Sequence, residues 1–187
     1  VTLKTASALE RATLATPAMR HARSYAAALR EGFRRGEQEI VTEQRARQIE
    51  ADFSRYLAAI TDQTGHITLP TGGKVAKVPF SLHWLCDDDL FIGEASIRHR
   101  LDARLIQEGG HIGYGIRPSH RGQGYGKRIL ALSLEECRLL GIERVLVTCL
   151  DSNIPSARII EANGGRLENV IDSPWGHGPL RRYWITL

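Results

Sequence analysis

One stretch constrains this chain more than any other: His111 to Leu140, reading HIGYGIRPSHRGQGYGKRILALSLEECRLL. A short apolar run ends at Ile116, Arg117 and Pro118 and predicts a strand. A glycine-rich turn follows (Arg121, Gly122, Gln123, Gly124, Tyr125, Gly126), and an amphipathic pattern then predicts a helix. Glycines at 122, 124 and 126 permit backbone conformations closed to other residues and let a ligand approach the main chain. The first turn of the helix directs unpaired N–H groups, and the positive end of its dipole, into the same place. Arg121, Lys127 and Arg128 add positive charge, so the expected guest is a phosphate or pyrophosphate.

Spacing separates the phosphate-binding alternatives. A dinucleotide fingerprint, G-x-G-x-x-G, fails because its last place falls on Lys127 or Ile129. A P-loop fails because Gly126-Lys127 is followed by Arg128 rather than Ser or Thr. What remains is R-G-x-G-x-G after a strand ending in Ile-x-Pro, which resembles the acyl-CoA-binding motif of the GNAT superfamily of N-acetyltransferases. A second segment supports the resemblance. Residues 153 to 165, NIPSARIIEANGG, are similar to the superfamily pattern N-x-x-A-x-x-x-Y-E-K-x-G-F, with Asn153, Glu161 and Gly164 in register and Ser156 at the small-residue place. Two positions depart from it: Ile160 stands where many members carry a tyrosine that protonates the departing thiolate, and Gly165 stands where they carry an aromatic. The run GGHIGYGIRPS also resembles a bacterial subgroup whose substrates are generally unassigned.

The resemblance covers about residues 75 to 187. It implies an α/β fold with a mixed sheet, an acyl-CoA N-acyltransferase core behind a helical N-terminal region (1–60), and a single domain over 1–187. It implies acetyl-CoA as acyl donor and an amine, on a small molecule or a protein, as acceptor. Carried over by register, a backbone N–H at about Ile116 stabilises the oxyanion, and Ile116, Arg117 and Pro118 form the strand edge that pairs with pantetheine. The backbone from Arg121 through Gly122, Gln123, Gly124, Tyr125 and Gly126, with help from Lys127, takes the pyrophosphate. Asn153 and Ser156 face the pantetheine arm. An alkyl amine titrates near pH 10.4, so attack requires a proton acceptor; Glu94, on a strand beside the central one, and His111, at its start, are the candidates. Tyr114, Ser156 and Tyr183 are candidate replacements for the absent tyrosine acid. A homodimer is expected from the family alone, and a non-catalytic acyl-CoA-binding module that docks a partner through its helices is the alternative function.

Composition sets looser bounds. At 187 residues, 42% hydrophobic and 25% charged, the chain suits one soluble domain, and its apolar runs are far short of a membrane span. A cytoplasmic location is the expectation. The odd count of three cysteines, Cys86, Cys137 and Cys149, argues against a disulfide framework, and no metal-ligand spacing is present. A net charge of +4 suits a polyanionic cofactor as well as nucleic acid, but no nucleic-acid module is recognisable.

Elsewhere the pattern predicts a loosely packed arm over 1–20 with no identifiable strand. Two helices between Ser24 and Ile60, breaking near Gly36, carry Arg30, Arg34, Arg35, Arg45 and Arg47 on a solvated face. A turn around Pro70 leads to strands over Val75–Trp84 and Leu90–Ile97 joined by Asp87-Asp88-Asp89, a solvated hairpin turn. Arg98–Gly110 reads as a flap or short helical insertion. Strands are expected over Arg144–Leu150, Arg166–Ile171 and Leu180–Leu187, with a helix beginning at Asn153.

Overall fold

The computed structural model describes residues 6–36, 40–68 and 72–187; residues 1–5 of the expected arm, and Pro70 of the expected turn, lie outside them. In chain order the elements are α1 (Ala8–Arg11), β1 (Thr13–Ala15), α2 (Ala22–Arg30), α3 (Glu43–Ala51), α4 (Phe53–Thr61), β2 (His66–Thr68) and β3 (Lys74–Ala76). They continue with β4 (Phe80–Asp87), β5 (Leu90–Arg98), α5 (Ala103–Gln107), β6 (Ile112–Ile116), α6 (Tyr125–Leu139) and β7 (Arg144–Leu150), then α7 (Ile154–Ala162), β8 (Arg166–Asp172) and β9 (Pro179–Thr186).

The strands form two sheets, β1-β4-β5-β6 and β7-β9-β8, with β2–β3 as a separate hairpin. Helices α2–α4 cover one face of the first sheet. Their apolar residues meet in an aromatic cluster where Tyr25 stacks on Trp84 at 4.7 Å and Phe91 lies edge-on to Trp84 at 5.2 Å. Helices α6 and α7 pack on the other side: Leu130, Leu134, Cys137 and Ile160 share a core with Ile97, Ile112, Val145 and Val147. All three cysteines are buried free thiols.

Several boundaries differ from the expectation. From Ser7 onward the arm is packed. Ser7 and Glu10 form a reciprocal capping box on α1, Ala12 is fully buried, and β1 pairs with β4 through Thr13↔Cys86 and Ala15↔Trp84. At three residues β1 is too short to show alternation, which is why its sequence hides it. The N-terminal region holds three long helices rather than two. Asp52 ends α3 and caps α4, accepting from the Arg55 N–H, while Ile49, Phe53 and Ile60 stay on the buried side, so the apolar period runs through the break. The strand expected over Val75–Trp84 is divided into β3 and β4, which leaves Pro79, with no N–H to donate, between them. Arg98–Gly110 contains the short helix α5, capped by Asp102.

Candidate active site

The site lies where the two sheets part. At the start of β6 the His111 N–H donates to the Leu146 carbonyl at 2.7 Å, and the Leu146 N–H donates back to His111 Nδ1 at 3.0 Å. Gly110, at φ +58°, makes this junction possible, because a Cβ there would run into the Leu146 carbonyl. Beyond it the strands diverge into separate sheets. The antiparallel register of β5 and β6 fixes what faces the gap. Arg98 donates to His111 and Arg117 donates to Ile92, so residues 111, 113, 115 and 117 are the hydrogen-bonded ones. The backbone polar groups of Tyr114 and Ile116 therefore turn away from β5, toward the gap.

Past β6, Pro118–His120 form a 3₁₀ turn and the chain enters α6 through Gly124, which takes φ +88° as the N-cap. The first N–H with an intrahelical partner is that of Arg128, bonded to the Gly124 carbonyl. The N–H groups of Tyr125, Gly126 and Lys127 precede it and belong to the exposed end. Lys127 is exposed and forms no ion pair among the described residues. The other expected features divide. Gly122 and Gln123 lie exposed on the turn, and Arg121 anchors it by donating from Nε to the Ile116 carbonyl at 3.1 Å. The Tyr125 side chain is core, beside Leu85 and Ile129. Gly126 serves helix packing rather than ligand approach, since an added Cβ would lie 2.6 Å from Ile159 Cδ1. Arg128 holds the N-terminal arm through the carbonyls of Ala12 and Glu10.

Arg117 does not offer an edge for pantetheine. Its N–H is spent on Ile92, and its buried side chain holds Glu31 with both oxygens, Ser24 and the Phe91 carbonyl. That guanidinium, helped by Ser119, pulls the Glu31 carboxyl down to about 2. Asn153 caps α7, its Oδ1 accepting from the Ser156 N–H at 3.2 Å.

The two candidate bases are both engaged. Glu94 is buried, with Oε1 on Arg35 at 2.7 Å and Oε2 on Trp84 Nε1 at 3.0 Å. Its carboxylate is the counter-ion of Arg35, so Arg35 is no solvated surface charge. His111 uses its Nδ1 lone pair on Leu146, so the neutral ring carries its proton on Nε2. Burial, and the nearby Arg98, push its pKa down to about 4, a weak base by any measure.

Of the candidate acids, Tyr183 is fully buried and donates to Glu161, away from the gap. Tyr114 is different: its hydroxyl lies 3.1 Å from Ser156 Oγ, joining β6 to α7. Burial raises its pKa to about 12. The family departures also have a local cause. Ile160 is core, and any side chain at Gly165 would meet the Ile160 carbonyl at 2.8 Å.

A cavity of about 330 Å³ lies on the helical face of the first sheet. Arg35, Lys77, Arg98 and Arg104 line it beside Ile60 and Ser96. No motif marks this group, which is scattered over a helix-following loop, a hairpin, a strand and α5.

A splayed strand pair beside a left-handed glycine entry to a helix, with three N–H groups unpaired among the described residues, is the layout of an acyl-CoA-type transferase fold. The acetyltransferase (GNAT) domain family model matches residues 11–166, and the chain belongs to this family. No curated protein matches. Among solved structures, RimJ of Mycobacterium smegmatis in complex with CoA-disulfide aligns with a TM-score of 0.65 at 17% identity, over 92% of this chain and 80% of that one. The microcin C7 self-immunity acetyltransferase MccE, in complex with acetyl-CoA and AMP, aligns at 0.61 and 13% identity over 94% and 92%. A Vibrio cholerae–human chimera of spermidine N-acetyltransferase aligns at 0.59 and 12% over 94% and 95%. At such identities these likenesses concern the fold.

Proposed function

We propose that this protein is an acetyl-CoA-dependent N-acetyltransferase that transfers the acetyl group to a primary amine by direct attack. The observation that carries the reading is the parting of β6 from β7, with the backbone of Tyr114 and Ile116 facing the gap and the open end of α6 following in the chain. Two of the structural relatives were solved with CoA or acetyl-CoA, which fits a pyrophosphate at Gly122–Lys127. The bound thioester supplies an activated acyl carbon.

Attack by the amine nitrogen places negative charge on the thioester oxygen, and a fixed N–H from Tyr114 or Ile116 offsets that charge. One such donor supplies about 3 kcal/mol in comparable sites. The excess proton of the amine passes to water, since His111 is committed to Leu146 and Glu94 to Arg35. The C–S bond then breaks, and the paired hydroxyls of Tyr114 and Ser156 donate the proton that the thiolate takes up, in place of the tyrosine absent at 160.

Calorimetric titration with acetyl-CoA, with NAD and ATP as controls, tests the cofactor reading. Thiol release with an amine panel tests turnover. Selective micromolar acetyl-CoA binding together with amine-dependent thiol release is the expected result. Equal binding of ATP, or binding without turnover of any amine, contradicts it.

A further inference from the structure

The cationic cavity points to the chemistry of the acceptor. We propose that the amine acceptor is a small molecule carrying a carboxylate or phosphate group, held by Arg98, Arg104 and Lys77, with Arg35 at the cavity wall. The proposal rests on the acetyltransferase reading above.

Among the described residues, none that lines the cavity is acidic, although four are cationic. Carboxylates that accompany these cations stand outside the lining: Glu94 on Arg35 at 2.7 Å, Asp62 at 3.8 Å from Lys77, and Asp102 at 3.6 Å from Arg104. Arg98 has no carboxylate within ion-pair distance among the described residues, and its recorded bonds go to the carbonyls of Gly109 and Gly110 through Nη1 alone. Arg104 Nε and Nη2 are buried without a hydrogen-bond partner among the described residues. Burying these donors without a hydrogen bond is costly, and the Asp102 ion pair with Nη2, at 3.6 Å, does not supply one. An anion would satisfy them, and it would also relieve the repulsion between Arg98 and Arg104, which together with burial holds Arg98 down at about 10.

Position makes the cavity an acceptor site rather than a remote one. Arg98 and Ser96 project from β5 over β6, where Ser96 pairs with Gly113. A Cβ at Gly113 would lie 3.9 Å from both Nη1 and Nη2 of Arg98, so the guanidinium sits on the strand floor next to Tyr114. The lack of a side chain at Gly113 leaves that floor open. At roughly 3.3 Å per residue along a strand, an anion on Arg98, above Gly113, stands one residue from the backbone of Tyr114 and three from that of Ile116. A short amino acid or amino-phosphate spans that interval. The cofactor's own phosphates are served by a different element, the start of α6.

The test uses Arg104→Gln and Lys77→Gln, each checked for folding by circular dichroism. Glutarate and inorganic phosphate are titrated into CoA-saturated protein, so that the turn before α6 is already filled. Saturable binding of either anion, weakened about tenfold or more by either variant, is expected; no saturable binding, or binding that neither variant changes, overturns the proposal. Thiol release is then compared for 4-aminobutyrate against butylamine and for phosphoethanolamine against ethanolamine. The anionic member of at least one pair should have a kcat/KM about tenfold or more above its neutral partner, and which pair responds tells carboxylate from phosphate. Neutral amines that are equally good substrates also overturn it. Loss of acetyl-CoA binding in the wild type would sink the enzymatic reading instead, and the glutarate titration would still report on the cavity.

Discussion

Glu31→Gln isolates the clamp that holds α2 on the end of β6. In the wild type the Arg117 guanidinium takes both Glu31 oxygens while Ser119 adds two further bonds. The fall in the Glu31 pKa from 4.5 to about 2 corresponds, at about 1.36 kcal/mol per pH unit, to roughly 3 kcal/mol of stability. The Glu31 side chain is 30% exposed, and solvent screening brings the expected loss to about 2 kcal/mol. The sign is fixed by the depressed pKa. The contribution is complete above pH 4.5 and disappears as pH falls toward 2. Urea unfolding of both proteins at pH 7 should differ by about 2 kcal/mol, equivalent to roughly 4–8 °C in Tm. At pH 3 the gap should shrink to less than half. A difference below about 0.5 kcal/mol at pH 7, or one that does not change with pH, would refute the reasoning.

Three further outcomes follow from the geometry. Gly126→Ala should change stability by less than about 1 kcal/mol, because the Ile159 Cδ1 it meets ends a flexible side chain and alanine suits α6 better than glycine; a larger fall in the denaturant midpoint would show that Ile159 cannot give way. His111→Gln should flatten the stability lost between pH 6.5 and 4, since a histidine held at about 4 takes up its proton on unfolding throughout that window; an unchanged pH profile of the urea midpoint would remove His111 as its source. Tyr114→Phe should lower kcat by about 10²-fold with little change in acetyl-CoA affinity, and unaltered thiol release would exclude the Tyr114–Ser156 pair as proton donor.

The strand–turn–helix unit from β6 into α6 is legible in the sequence because it is local. The strand, the glycine turn and the first turn of α6 are contiguous in sequence, and their order carries the chemistry. The polar side chains around β5 come from distant segments, and spacing along the chain does not show their partners. Helical spacing places Arg35 with the surface arginines, because it cannot show that Glu94, 59 residues away, is its partner. Glu94 and His111 carry the right functional groups for a base. Which lone pairs are spoken for depends on Trp84 and Leu146, on other strands. Arg117 falls within the cofactor motif yet belongs to packing, because strand register sends its N–H to Ile92. Gly126 shows the same ambiguity within one motif: Gly124 takes a left-handed φ at the entry to α6, while Gly126 faces the neighbouring α7.

The short N-terminal arm has a practical consequence. Leu9 lies 3.2 Å from where a Cβ of Gly124 would stand, and Arg128 in the first turn of α6 grips the carbonyls of Glu10 and Ala12. Deleting the segment that carries Leu9 and Glu10 therefore strips contacts from the entry to α6 rather than trimming an idle tail.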